Sequence, residues 1–233
     1  IPGGSQTFSK GYLNWSRGGG PLFLSHGKGS HVWDVDGNGY VDFVNGLAPI
    51  ILGYCDPDVD GVVESQMKRG VLMSLSTELE VELAELLQEV IPCAEMARFA
   101  KNGSDVTAGA IRLARAFTGR EHVAVCGYHG WQDWFIACTN WSLGIPESVK
   151  SLTHSFEYNN SSTLKKLLEA RPGDFAAVIL EPIHSTDPIP GFLETVRELT
   201  HDHGALLIFD EVISGFRHHL GGSQSLFGVL PDL

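Results

Sequence analysis

At 233 residues and 43% hydrophobic content, the chain is long enough to close a sizeable core, either as one large α/β domain or as a domain plus a fragment. A formal charge of -12 with no basic stripe excludes a nucleic-acid surface, which needs clustered Lys and Arg against phosphates. Four cysteines, Cys55, Cys93, Cys126 and Cys138, stand apart without a CxxC pair, which argues against a disulfide frame or zinc site and predicts a reduced, cytoplasmic protein.

The N-terminus lacks a charged segment followed by an apolar one, although a start at Ile1 leaves open a leader removed upstream. No apolar stretch approaches the ~18 residues of a membrane span, so no membrane partner is expected. Residues 1–55 are predicted to form a separate N-terminal segment. Gly, Ser and aromatics dominate up to Ser30, and residues 31–44 then alternate around Asp36-Gly-Asn-Gly39, which predicts a β-hairpin in a small antiparallel unit. Asp34, Asp36, Asn38, Gly39 and Asp42 also fall at calcium-loop offsets. Asn45 stands where that loop needs a bidentate Glu, and the flanks are strand-like rather than helical, so the hairpin is the expected reading.

Residues 56–233 are predicted to form the larger domain. Val59, Val62, Val63 and Met67 follow Asp58 at helical spacing, and Gly70 closes the segment. Thr77 and Glu80 have the pattern of a capping box ahead of Leu79, Leu83, Leu86, Leu87 and Val90. Residues 97–100 read as a short strand, 102–105 as a glycine turn, and Val106, Ala110, Leu113 and Phe117 as one face of a helix ending at Gly119. Strand and helix then alternate: strand 122–126, helix near 164–169, strand 175–180, helix near 193–203, strand 205–209. This order predicts an α/β fold with a mostly parallel sheet flanked by helices.

Two apolar runs end in carboxylates, Ala176-Ala-Val-Ile-Leu-Glu181 and Ala205-Leu-Leu-Ile-Phe-Asp210. Continuous apolar runs of this length read as strands buried on both faces, and their carboxyl ends border the ligand crevice of such a sheet. An ionised Asp there needs a cationic partner, for which a protonated pyridinium nitrogen is suited. Asn102-Gly103-Ser104-Asp105 combines a glycine, a hydroxyl and helix N-terminal amides, a set suited to phosphate. An ordinary capped turn has the same composition. Gly127-Tyr128-His129-Gly130-Trp131 follows another strand, and Tyr128 there is placed to stack on an aromatic ring or to pack within the loop. His201, His203, His218 and His219 suggest a metal cluster on paper, but His201 and His203 sit two apart on a predicted helix and diverge, so no metal site is expected.

Together these elements resemble the class III aminotransferases, pyridoxal-phosphate enzymes of fold type I, and most closely the branch containing glutamate-1-semialdehyde aminomutase. The resemblance runs over essentially the whole chain: Trp33-Asp-Val-Asp-Gly-Asn, Ile51-Leu-Gly, Asn102-Gly-Ser-Asp, Ile111-Arg-Leu-Ala-Arg-Ala-Phe-Thr-Gly119, Tyr128-His-Gly-Trp, Glu181-Pro182 and Phe209-Asp-Glu-Val-Ile-Ser-Gly-Phe-Arg217. It implies the large domain of that fold, pyridoxal 5'-phosphate as cofactor, and cofactor-binding roles for Gly103, Ser104, Tyr128, His129, Glu181, Asp210 and Val212. Gly103 and Ser104 would hold the phosphate, and Tyr128 and Val212 would flank the ring. Asp210, the expected catalytic residue, would keep the pyridine nitrogen protonated so that the ring accepts electrons. Glu181 would lie near the ring's hydroxyl edge or the substrate.

The family's Schiff-base lysine lies a short loop beyond the Asp-Glu-Val strand, and this chain ends at Leu233, before that position. None of Lys10, Lys28, Lys68, Lys101, Lys150, Lys165 or Lys166 matches it. The resemblance implies amino transfer between an amine donor and a carbonyl acceptor in a homodimeric enzyme, with the 233-residue chain inactive alone. Loops 46–54 and 131–141 are the expected dimer contacts. Aminomutase-type isomerisation, a truncated non-catalytic cofactor-binding homologue and, more distantly, an acyltransferase on the same fold are the alternatives. Leu47 and Trp131 depart from the aminomutase pattern, and Ile213 from that of many other class III enzymes, which implies a different substrate. Lys10 and Arg17 are candidates for a substrate carboxylate, or for simple solvation.

Overall fold

The computed structural model describes residues 1–15 and 18–233, in two compact units, Ile1–Ser76 and Thr77–Leu233. Arg17 lies outside the described residues. In the first unit, β1 (Leu24–Lys28), β2 (His31–Asp34) and β3 (Gly39–Val41) form an antiparallel sheet in that order. Asp34 closes the β2–β3 turn. Its Oδ1 accepts the amides of Asp36 and Asn38, and its Oδ2 accepts the Asn38 side chain and the Tyr40 hydroxyl. These bonds, the Asn38 side chain's first, hold the Asp34 carboxyl below its ordinary range. The carboxylate of the apparent calcium motif is thus engaged by the hairpin's own donors.

Helix α1 (Pro57–Arg69) starts on Asp56, whose side chain accepts from the amides of Asp58 and Val59, with Pro57 in the first turn and Gly70 at the end. Its stripe of Val59, Val62, Val63 and Met67 has the expected spacing and is exposed. Helix α2 (Glu78–Val90) opens the second unit with Thr77 at the N-cap. The expected capping box does not form: the Thr77 side chain makes no cap bond, and only its carbonyl accepts from the Glu80 amide. Residues 97–100, expected as a strand, belong to no strand because no ladder partner flanks them among the described residues.

Helix α3 (Gly103–Thr118) follows the glycine turn and ends at Gly119, whose positive φ of 68° is the left-handed C-cap that glycine adopts most readily. Strand β4 (His122–Cys126) leads to two short turns, α4 (Asp133–Ile136) and α5 (Glu147–Lys150), and then β5 (Thr153–Ser155). After α6 (Ser161–Ala170), β6 (Phe175–Leu180), α7 (Phe192–Asp202), β7 (Leu206–Phe209) and α8 (Gly222–Phe227), the backbone of Leu233 bonds both Leu207 and Phe209. That is parallel pairing around Ile208. The sheet order is β5-β4-β6-β7, all parallel.

Alternation along these strands splits the core into two layers. Ala124, Cys126, Val178, Leu180, Leu207 and Phe209 pack with Leu164 and Leu168 of α6 and Leu193 and Val196 of α7. Val123, Val125, Ala177, Ile179 and Ile208 pack with Ile111 and Ala114 of α3 and with Trp134 and Phe135 of α4. Every residue of β6 is buried, as its unbroken apolar run requires, and each large side chain there contributes about 1.5–3 kcal/mol. The expectation that residues 131–141 form a surface contact is corrected in part. The α4 turn drives Trp134 and Phe135 into the core, while Trp131 and Trp141 stay exposed. Among the described residues no helix is long and apolar enough to cross a membrane.

Candidate active site at the carboxyl ends of the parallel strands

Because β4, β6 and β7 run parallel, the residues following them converge on one edge of the sheet, and the N-terminus of α3 meets them there. Asn102 caps α3, its Oδ1 accepting the Asp105 amide at 3.3 Å. The first amides of the helix have no intrahelical acceptor, so this end is electropositive and open to an anion. Gly103 lies against Val212: a Cβ on Gly103 would fall 3.2 Å from both Val212 methyls. Ser104 is fixed from the other side, where its Oγ accepts the Trp131 amide at 3.3 Å. Gly130 packs its backbone on Ser104, and Thr107, one turn further along α3, donates to the His129 carbonyl at 2.8 Å. The glycine turn and the Tyr128-His-Gly-Trp loop are therefore one structural unit.

Asp210, 7% exposed, directly follows β7. Its Oδ1 accepts the Val212 amide at 3.1 Å, and its Oδ2 lies 2.8 Å from Nδ1 of His129, which is itself fully enclosed. Glu181 directly follows β6, and its Oε2 accepts the Tyr128 amide at 3.0 Å and lies 3.6 Å from Nε2 of His184. Beneath Glu181 the Cys126 thiol is pushed up to about 12, chiefly by burial and secondarily by that carboxylate. The Tyr128 ring meets Phe135 edge-on at 5.5 Å yet remains 61% exposed, and Val212 is 59% exposed. Both apolar groups stand open beside the buried carboxylate, which suits a flat ring with a cationic nitrogen.

The structure thus brings together all seven residues singled out from the sequence: Gly103, Ser104, Tyr128, His129, Glu181, Asp210 and Val212. Lys101 is exposed just before the glycine turn, and Lys10 is exposed on the first unit. Three contributors were not anticipated. Thr107 and Gln132 tie the α3 terminus to the Tyr128 loop, with the Gln132 side chain donating to Asp105 at 3.4 Å, and His184 pairs with Glu181. Glu211, beside Asp210, turns away from the site. It accepts from the Ser223 amide at 2.6 Å, the Gln224 amide at 3.4 Å and the Ser214 hydroxyl at 3.3 Å, and so caps α8. The paper cluster of histidines is dispersed: His201 pairs with Asp232, His203 bonds the Leu199 carbonyl and His219 accepts the Gly221 amide.

A family model for class III aminotransferases matches residues 14–233. A 3-aminobutyryl-CoA aminotransferase from Cloacimonas acidaminovorans is 46% identical over all of this chain and 57% of its own length. A glutamate-1-semialdehyde 2,1-aminomutase from Chloroflexus aurantiacus is 40% identical over all of this chain and 56% of its own. The crystal structure of an omega-transaminase from Sphaerobacter thermophilus superimposes with a TM-score of 0.91 at 33% identity, covering all of this chain and 56% of that one. The chain spans little more than half the length of these relatives.

Proposed function

The chain belongs to the class III aminotransferase family, and we propose that it forms the cofactor-holding part of an enzyme that moves an amino group between an amine donor and a carbonyl acceptor. The cofactor is pyridoxal 5'-phosphate. The observation that carries the reading is the junction of Ser104 at the α3 N-terminus with Asp210 at the end of β7, through Gly103–Val212 and His129–Asp210 contacts. When bound, the cofactor supplies an electron sink for the substrate carbon that loses a proton. The chain's own residues do the rest. The α3 amides and Ser104 bind the phosphate, Asp210 holds the ring nitrogen in its protonated form, and Tyr128 and Val212 confine the ring between them. Glu181, anchored on the Tyr128 amide, borders the substrate side.

Amino transfer is preferred over aminomutase-type isomerisation. The aminotransferase relative is the more similar of the two, and Leu47 and Trp131 depart from the aminomutase pattern. We also propose a cytoplasmic homodimer, for which the four unpaired cysteines and the exposed Trp131, Trp141, Ile51 and Leu52 are the support.

The test is a binding titration on the full-length protein. Charge-assisted hydrogen bonds are worth about 1.5–3 kcal/mol, so Ser104→Ala should weaken pyridoxal phosphate binding roughly 10- to 100-fold. It should leave binding of phosphate-free pyridoxal unchanged. Equal losses for both ligands would contradict the phosphate role.

A further inference from the structure

The loop from β6 to α7 contains Pro182, Pro188 and Pro190, which have no amide hydrogen, so few backbone donors are available to tie it down. Its anchors come from the segment after β5. The Tyr158 hydroxyl donates to the Pro182 carbonyl at 2.9 Å. Asn159 takes the far end: its Nδ2 donates to the Asp187 carbonyl at 3.1 Å, and its Oδ1 accepts the Ile189 amide at 2.9 Å. Those two groups flank Pro188, and the N–H and C=O of one residue on a parallel neighbouring strand would engage them in the same way. The Asn159 side chain stands in for that backbone.

Asn159 has φ of 59°, the left-handed region that asparagine tolerates better than most residues. Glycine would adopt that backbone more readily but has no amide to offer, and aspartate would turn an oxygen on the Asp187 carbonyl. The platform beneath is fixed. The Phe156 amide bonds the Val125 carbonyl at 3.0 Å, the Glu157 amide donates to Thr163 Oγ1 at 3.0 Å, and the Asn160 side chain donates to Glu157 Oε2 at 2.7 Å. Burial foremost pushes the Tyr158 hydroxyl up to about 12, so it remains a donor at neutral pH.

We infer that Asn159 is a positioning residue: with Tyr158 it pins both feet of the loop 182–189 and so sets His184, on the loop's exposed crown, against Glu181. The His184 ring leans on the Tyr158 ring at 5.7 Å, and its Nε2 lies 3.6 Å from Glu181 Oε2. Tyr158 in turn meets Phe192, the first residue of α7, edge-on at 5.2 Å. Two consecutive residues outside the site thus hold the near foot, the far foot and the ring under the crown. Their consequence for the substrate rests on the reading that Glu181 borders it. On that reading His184 is the side chain that an incoming amine or carbonyl compound meets beside Glu181, and Asn159 determines where it stands.

The experiment compares wild-type and Asn159→Gly full-length protein, cofactor-free, by amide hydrogen exchange and by NMR of the histidine rings, with the His184 signals assigned from their loss in His184→Gln. Glycine keeps the left-handed backbone without strain and removes only the side-chain bonds. Exchange at the Ile189 amide should rise roughly tenfold, as for one lost hydrogen bond. The His184 ring signals should lose the shift that the Tyr158 ring imposes and move toward those of a solvated histidine. Unchanged His184 signals overturn the inference even if Ile189 is freed, because the bonds would then hold a foot of the loop and nothing beyond it. Unchanged exchange at Ile189 overturns it as well. If Asn159→Gly does not fold, Tyr158→Phe decides: it frees the near foot alone, so the His184 signals should move while Ile189 stays protected, and static signals overturn the inference. Since no cofactor or substrate is present, failure of the protein to bind pyridoxal phosphate would defeat the proposed function and leave this result standing. Binding alongside an unmoved His184 would do the reverse.

Discussion

Gly130→Ala is the substitution that most directly probes how the site is assembled. Gly130 is buried with φ of 105°, a conformation in which an L side chain costs about 1–2 kcal/mol. A Cβ there would meet the Ser104 hydroxyl and fall 2.9 Å from both Cα and Cβ of Ser104. Because that contact includes backbone at the start of α3, relief requires movement of the helix terminus or the loop, an overpacking cost of about 1–3 kcal/mol. The sum is roughly 2–5 kcal/mol. Gly173→Ala is the control, with φ of 80° and nothing within 4 Å of its Cβ, so only the backbone term of about 1–2 kcal/mol applies. The assay is denaturant unfolding of the two full-length variants, read as midpoint shifts at constant slope. Gly130→Ala should also lose pyridoxal phosphate affinity, while Gly173→Ala should keep it. Equal midpoint shifts would refute the claim that the Tyr128 loop and the α3 terminus are closed on each other.

Asp210→Asn should leave the cofactor bound yet cut turnover of the full-length enzyme by orders of magnitude, with Asp210→Glu milder; near wild-type kcat in Asp210→Asn would count against the role given to this carboxylate. Among the cysteines, exposed Cys55 should react first with a thiol reagent at pH 8 and Cys126 last, since burial pushes its thiol up to about 12. Peptide mapping that finds Cys126 modified as fast as Cys55 would contradict this. His154, whose Nε2 lies 2.9 Å from Nδ1 of His122, is held below its ordinary value by burial first and then by His122 and Arg171. The unfolded chain therefore binds the proton first, so His154 contributes stability above about pH 6.5 that is lost as pH falls through the lower, folded value. His154→Gln should flatten the fall in unfolding free energy below that pH; an unchanged slope would argue against the pair.

Much of the larger unit was legible because its strands are continuous apolar runs. Residues 122–126 and 175–180 form strands with the expected bounds: every position of the second is buried and apolar, and in the first only half-buried His122, at its start, interrupts the apolar run. Leu24–Lys28 and Thr153–Ser155 were not legible: the first reads Leu-Ser-His-Gly-Lys, the second has three residues, and only pairing with a neighbour defines either. Trp134 and Phe135 defeated periodicity because a four-residue turn has too little length to show any. At the site, each motif was ambiguous alone. Their meeting is a tertiary fact, since His129 and Asp210 bond across 81 positions. Sequence spacing distinguishes neither Asp210 from Glu211 by direction nor Thr107 from an ordinary helix threonine. Those assignments come from which strand end and which helix turn face each other.

The central claim is that this edge of the sheet holds pyridoxal phosphate, and borohydride trapping on the full-length protein tests it most directly. After incubation with excess pyridoxal phosphate, a visible absorbance band should appear and be abolished by borohydride, with one reduced adduct on a specific lysine by peptide mass spectrometry. Neither a band nor any reducible adduct at saturating cofactor would contradict the account.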